Sequence, residues 1–334
     1  MEEPPDLAEE RILGVLRGEF GIRVAGLRFL SVGNDPGSWA YRVERSEGPA
    51  CFLKVRAGAG AMPGAAVPLH LRRLGVPLVL APVPTRAGAP FAVTGGFALA
   101  LFPMLDARPG VDVGLSPAQW RELGAAVARL HALAPTPELA GLVARERFRP
   151  SRRELLPRLT AAVAASPGDP PGAALAASWR ANAEVIAELA ARADRLGGEL
   201  AATPTRPVLC HADLHTWNVL VGSDRQLWLV DWDEAVLAPR ERDLMFVVGG
   251  IGHGLVRPED TASFLRGYGP ADPDPRLLGY YRCAWAVQDI AAYGQQVLLN
   301  PAAGPATRQA AADGFAELFA PGNIVDLATG SPGS

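Results

Sequence analysis

The chain has 334 residues, 49% of them hydrophobic, a formal charge of −3 and three cysteines, which is enough for two modest domains sharing a cleft. So balanced a charge sets up no basic field for nucleic acid or anionic lipid, and the partner expected is a small molecule. Cys51, Cys210 and Cys283 are odd in number, scattered and without metal-ligand spacing, which argues against a disulfide framework and fits a reducing compartment.

The amino terminus, MEEPPDLAEERIL, is acidic where a signal peptide would be basic and then apolar. No apolar run is long enough to span a bilayer, so a cytoplasmic protein is expected. Gly26 to Val32, Ser38 to Glu44 and Ala50 to Val55 read as three short strands separated by turn residues. The turn between the first two, Val32-Gly33-Asn34-Asp35-Pro36-Gly37-Ser38-Trp39, can fold its backbone N–H groups over phosphates, Pro36 excepted because it has none. Gly37 and Ser38 are its candidate contacts. Lys54, near the end of the third strand, is the only lysine among 32 Lys and Arg residues. In a chain that otherwise uses arginine, a retained ammonium marks a place where a compact charge is preferred to a planar guanidinium. A loop above phosphates and an ammonium beside them are two parts of one nucleotide site.

Pro63 to Gly75 reads as a short helix, and Phe91 to Thr94 and Phe97 to Phe102 read as strands. Leu105 to Gly114 is a Gly/Pro-bearing connection, which divides the chain into domains 1–104 and 105–334. Beyond it the pattern is helical. Ser116 to Leu133 carries apolar residues at helical spacing, with Ser116 as N-cap, Pro117 at N1 and an end near His131. The Ala-rich stretch Arg152 to Leu200 gives more helix, broken by Ser166-Pro167-Gly168-Asp169-Pro170-Pro171-Gly172.

Pro207 to Phe246 concentrates polar residues among short apolar strands. His211, Asp213 and Asn218 form H-x-D-x-x-x-x-N, after which Val219 to Val221 and Gln226 to Val230 read as a hairpin with Asp231 at its end. Phosphoryl transfer needs a carboxylate to receive or orient an acceptor hydroxyl, and oxygen ligands to hold Mg²⁺ against a triphosphate. Asp213, Asn218 and Asp231 are those residue types. A transition-metal group built on His211, Asp213 and His215 lacks a further ligand cluster and leaves Asn218 and Asp231 unexplained. Turn capping accounts for Asp224 but not for the whole constellation. His211 reads as structural support beneath the loop.

His211-Ala212-Asp213-Leu214-His215-Thr216-Trp217-Asn218-Val219-Leu220-Val221, then Leu229-Val230-Asp231-Trp232-Asp233, with Lys54 and Leu130-His131 upstream, resemble the aminoglycoside phosphotransferase family over nearly the full chain. Leu237 to Phe246, Ala81 to Gly88 and Val287-Gln288-Asp289-Ile290 are similar to its spectinomycin phosphotransferase branch. The resemblance implies an α+β, two-lobed, protein-kinase-like fold: a small N-terminal lobe with an antiparallel sheet, a larger and mainly helical C-terminal lobe, and a cleft between them. It implies ATP and Mg²⁺ as cofactors, Asp213 as catalytic base, Asn218 and Asp231 as Mg²⁺ ligands, and Lys54 on the α/β-phosphates. Adenine would dock against Phe102, Met104 and Leu105, while Asp243 would brace the catalytic loop from within.

The implied reaction moves the ATP γ-phosphate to a hydroxyl of an aminoglycoside or aminocyclitol antibiotic, spectinomycin included, which is a resistance activity. A cationic acceptor calls for carboxylates, and Asp233, Glu234 and Asp289 are the candidates, with Trp285 one helical turn before Asp289. Kinases of choline, homoserine, methylthioribose or fructosamine share these motifs, and so would a nucleotide-binding pseudokinase. One departure stands out: members of the family pair the strand lysine with a glutamate on the following helix, and no Asp or Glu occurs between Lys54 and Asp106. Either phosphate orients Lys54 directly, or a carboxylate from another element, such as Asp231, takes that place.

Overall fold

Alternation along consecutive strands organises the amino-terminal half of the computed structural model, which describes residues 3–32, 37–58, 60, 62–165, 168–252, 254–301 and 303–330. Helix α1 (Glu9–Gly18) precedes β1 (Val24–Leu30), β2 (Ser38–Arg45) and β3 (Cys51–Ala57). Helix α2 (Pro63–Arg73) leads to β4 (Ala92–Thr94) and β5 (Phe97–Pro103). The sheet order is β1-β2-β3-β5-β4, all antiparallel. In β3, Leu53 lies opposite Tyr41 and Leu101, and Val55 opposite Trp39 and Leu99. Because side chains alternate between faces, these residues share one face and pack on Ile12, Val15 and Leu16 of α1. Each such buried aliphatic side chain contributes about 1.5–3 kcal/mol.

The same parity puts Lys54, opposite Ala40 and Ala100, on the other face with Phe52, Arg56, Ala98 and Phe102. Met62 and Ala65 at the start of α2 cover part of that face, while Val67 and Leu71 further along join the core of the carboxy-terminal half. After α2 the chain pairs with the hairpin that carries Asp231: Leu229 N–H donates to Leu78 O at 2.5 Å, and Leu80 N–H to Leu229 O at 3.2 Å. The lysine-bearing sheet is thereby tied to the polar segment by backbone hydrogen bonds.

The carboxy-terminal half begins with β6 (Ala107–Pro109), α3 (Gly110–Val113) and α4 (Pro117–His131), followed by α5 (Pro137–Leu142) and β7 (Ala144–Arg145). Then come α6 (Leu156–Ala164), α7 (Pro170–Ala181), α8 (Ala183–Ala201), β8 (Val208–Cys210), β9 (Val219–Gly222), β10 (Leu227–Leu229) and β11 (Val236–Ala238). The chain ends with α9 (Glu241–Leu244), α10 (Pro258–Tyr268), α11 (Pro275–Gly294), α12 (Pro305–Glu317) and α13 (Ile324–Thr329). Two small sheets, ordered β10-β9-β6 and β7-β11-β8, lie among these helices.

Helix α4 starts with a capping box in which Ser116 Oγ accepts from Gln119 N–H and Gln119 Oε1 accepts from Ser116 N–H. It packs against α10 so closely that a Cβ on Gly124 would lie 2.1 Å from Phe264 O, so glycine permits the approach that places His131 at the other end of α4. Helix α11 is buried all round, with Leu277, Tyr281, Ala284, Trp285 and Ile290 spread over its circumference, as befits a central helix. Among the described residues no helix is long and apolar enough to cross a membrane.

Helix α1 lies within the acidic amino-terminal segment, its buried face set by Ile12, Val15 and Leu16. Three sequence expectations change. Strand β3 continues to Ala57, so Lys54 is its midpoint. The connection 105–114 is not a bare linker, since β6 pairs with β9 and α3 follows it. The Ala-rich region breaks a second time at Asn182, which leaves helical geometry and donates its side-chain amide to Ser178 O.

Candidate active site

The segment after β8 is held from below by one carboxylate. Asp243 on α9 has 0% exposure; its Oδ2 accepts from His211 N–H at 3.0 Å and lies 3.0 Å from His131 Nε2, and its Oδ1 accepts from Ala212 N–H at 2.7 Å. Burial opposes the charge most strongly, but the His131 bond, the neighbouring histidines and the backbone donors outweigh it, and the carboxyl is held below its usual range. Ala212 has φ 67°, a left-handed conformation that costs an L-residue about 1–2 kcal/mol. Charge-assisted bonds of about 1.5–3 kcal/mol each offset that strain. His211 Nε2 donates to Val230 O at 2.9 Å, its Nδ1 accepts from Asp213 N–H at 3.3 Å, and its ring lies 4.5 Å from Trp232. The imidazole thus ties the loop to the strand end before Asp231.

Asp213 emerges from this support between two neighbours. Asn218 Nδ2 donates to Asp213 Oδ2 at 2.8 Å and to Asp213 O at 2.9 Å, and His215 Nε2 lies 2.9 Å from Asp213 Oδ1. Burial pulls His215 down, but the hydrogen bond and charge of Asp213 prevail and raise its pKa. Asn218 follows from the turn Thr216-Trp217-Asn218, and its backbone carbonyl accepts from Val230 N–H at 3.1 Å. That bond sets Asn218 beside the end of β10.

Asp231 follows with φ 62° and a side chain 44% exposed. Its Oδ1 lies 2.8 Å from Lys54 Nζ, and Asp233 Oδ2 lies 2.7 Å from the same nitrogen and 3.0 Å from an Arg56 guanidinium nitrogen. Burial acts against Lys54, yet the two carboxylates reverse it and raise its pKa; Lys54 in turn holds Asp231 below its ordinary value against the effect of burial. Asp231 is open to water although protein surrounds it closely, as on the floor of a cleft. Asp233, expected among the carboxylates for an acceptor, instead faces the two cations of β3, with a side chain only 11% exposed.

The other expected acceptor groups divide. Asp289 on α11 is pushed up to about 7, first by burial and then by the Asp213 charge, within electrostatic reach of His215, Arg242 and Glu234. Glu234 keeps solvent contact, yet the protein packed around it raises its pKa, with Arg242 opposing and Asp213 and Asp233 reinforcing. Trp285 is turned into the core at 7% exposure, edge-on to Phe246 at 5.0 Å and 5.2 Å from the Arg242 guanidinium; packing occupies its faces. Two residues not singled out as site residues join this end of the cleft: His215, and Trp217, which is 46% exposed and edge-on to His215 at 5.3 Å. An aromatic left open inside H-x-D-x-x-x-x-N was the available signal.

At the other end, Phe102 lies in an apolar patch with Met62, Ala98 and Ala100, and Met104 N–H is already engaged by Ala50 O at 3.2 Å. Gly37 O accepts from Ala57 N–H at 2.8 Å, and Ser38 pairs with Arg56 on β3. Leu105 lies at the turn into β6. Residues 33–36 of the expected phosphate loop lie outside the described residues. A separate cavity of about 480 Å³, lined by Arg147, Phe148, Arg149, Arg153 and Asp194 among others, contains none of these groups.

Residues 38–281 match the Phosphotransferase enzyme family. The chain belongs to that family. Protein StrN of Streptomyces griseus is 31% identical to this phosphotransferase over 277 residues, covering 80% of this chain and 78% of StrN. The crystal structure of spectinomycin phosphotransferase APH(9)-Ia in complex with ADP and spectinomycin has a TM-score of 0.83 at 28% identity, covering 97% of this chain and 98% of that one. The AMP-bound complex of APH(9)-Ia gives 0.81 at 28% identity, covering 97% and 99%. The fold of this phosphotransferase is therefore the kinase-like one, and the chain is a kinase-type enzyme.

The carboxylate of Asp243 contributes stability above the ordinary carboxylate range, because its folded-state pKa is depressed, and that contribution is lost as pH falls through the depressed value. Asp243→Asn is expected to lower stability by about 2–4 kcal/mol at pH 7, with the gap narrowing toward pH 3. Urea-unfolding midpoints of both proteins across that range check it; a pH-independent gap would mean that the charge is not what matters.

Proposed function

We propose that this phosphotransferase moves the γ-phosphate of ATP to a hydroxyl of a cationic aminocyclitol or aminoglycoside antibiotic, spectinomycin being the first to test. The observation that carries the reading is the meeting of Asp213, Asn218, Asp231 and Lys54 in one cleft, next to the acidic pair Asp289 and Glu234. The likeness to APH(9)-Ia, whose complex holds ADP and spectinomycin, supports both halves of it. Residues 1–104 would serve as the nucleotide lobe and 105–334 as the catalytic and acceptor lobe.

Asp213 receives a hydrogen bond from the acceptor hydroxyl and aligns its oxygen with the γ-phosphorus. Asn218 and His215, one on each carboxylate oxygen, keep it from rotating. Lys54 would meet the α- and β-phosphates, with Gly37 and Ser38 near them and Phe102, Met104 and Leu105 against the adenine. The oxygen-bearing groups of Asn218 and Asp231 fit a hard cation: the Asn218 amide nitrogen is turned to Asp213 and its oxygen away, and Asp231 is open to the cleft. When bound there, Mg²⁺ would neutralise the charge of the triphosphate. Asp289 and Glu234 attract the ammonium groups of the acceptor, and Trp217, edge-on to His215, offers an open apolar face.

Coupled ADP release with Mg²⁺-ATP should occur with spectinomycin or another aminoglycoside and be reduced at least a thousandfold in Asp213→Ala, whose circular dichroism should be unchanged. Turnover of choline, homoserine or methylthioribose alone would overturn the antibiotic reading. Because Asp289 is pushed up to about 7, its carboxylate is lost below that pH, and the KM for a cationic acceptor is expected to rise as pH falls from 8 to 6. Asp289→Asn should flatten that rise; an unchanged pH profile would place Asp289 outside the acceptor site.

A further inference from the structure

Helix α2, PGAAVPLHLRR, carries no acidic residue, yet the ammonium of Lys54 meets two carboxylates. Its two partners lie two residues apart on one turn and differ in setting. Asp231 opens to the cleft, where a cation can reach it, whereas Asp233 is enclosed and turned toward Lys54 and Arg56. The enclosure depends on α2. A Cβ on Gly64 would lie 1.9 Å from Asp233 Oδ1, so the carboxylate occupies the space that any larger side chain at 64 would fill.

We propose that Asp233 is the positioning residue for Lys54, reaching from the catalytic half across the cleft to do what an acid on α2 would otherwise do, with Gly64 as its socket. This rests on Lys54 being the nucleotide lysine. The two carboxylates then divide the work. Once Asp231 turns to a cation, Lys54 keeps one anionic partner and does not swing away from the phosphates. Orientation of the lysine is coupled to the hairpin that presents Asp231, because both carboxylates follow β10, itself paired to residues 78–80 after α2. Lobe position and lysine position are thereby set together.

The composition of the chain supplies the test. Lys54 is the only lysine, so protein grown with ¹⁵N-labelled lysine gives a single side-chain ammonium signal. In the ADP-bound, metal-free protein that signal is expected to be ordered and slow to exchange in the wild type and in Asp231→Asn. It should be lost to fast exchange in Asp233→Asn, and also in Gly64→Ala, which displaces the same carboxylate from the other side. The activity counterpart is a fall in kcat/KM for ATP on the order of tenfold to a hundredfold in Asp233→Asn, with KM for the acceptor unchanged and no further loss when Lys54→Met is added. A signal that survives Asp233→Asn but not Asp231→Asn overturns the proposal, as does full additivity with Lys54→Met. If ADP leaves the wild-type signal unmoved, the nucleotide role of Lys54 fails, and the proposal with it. The nucleotide-free spectra of the same variants then still report whether Asp233 holds the ammonium, which keeps the two failures apart.

Discussion

Asp243 is a carboxylate without solvent contact that accepts from two consecutive backbone N–H groups, His211 and Ala212, and meets His131 across the interior. A buried charge of this kind is tolerated only when its oxygens are satisfied, so His131, the Ala212 backbone and Asp243 have one mutually compatible arrangement. That arrangement forces Ala212 into the left-handed region and fixes the direction in which the chain leaves it. Asp213 comes next, and Asn218 closes back onto it. The close packing of α4 on α10 at Gly124 is part of the same device, because it sets where His131 can be.

Around this anchor the cleft is a balance of opposed charges. Burial works against the charge of Lys54, and Asp231 and Asp233 outweigh it. Asp231 stays ionised for the reciprocal reason. Around Glu234 and Asp289, burial first and the charge of Asp213 next make both carboxyls hold their protons more tightly, with Arg242 opposing.

What the sequence made legible was local. H-x-D-x-x-x-x-N, the hairpin to Asp231, the isolated lysine and the cap at Ser116 are short-range patterns with a chemical rationale, and the structure brings Lys54, Asp213, Asn218 and Asp231 together. What escaped was decided by distant contacts. Asp233 looked like an acceptor carboxylate because nothing in its own segment reveals that β3 lies against it or that Gly64 makes room. For Trp285 the sequence leaves core packing and a sugar platform both open, because helical spacing gives a face but not what covers it, and the structure packs it in the core. His215 and Trp217 lie in the motif, but no local pattern shows that one meets Asp213 and the other stays open. The connection at 105–114 looked like a linker because the partner of β6 is more than a hundred residues away. Helix α1 is written in the helical spacing of Ile12, Val15 and Leu16.

Hydrogen exchange of residues 208–231, compared between the wild type and Asp243→Asn at pH 7, tests most directly whether one buried carboxylate aims the catalytic loop. The account predicts that the amides of His211 and Ala212 lose protection by at least tenfold, and that the loss spreads to Asp213 and Asn218 while β1 to β5 stay protected. Unchanged protection at His211 and Ala212 in the variant would contradict it.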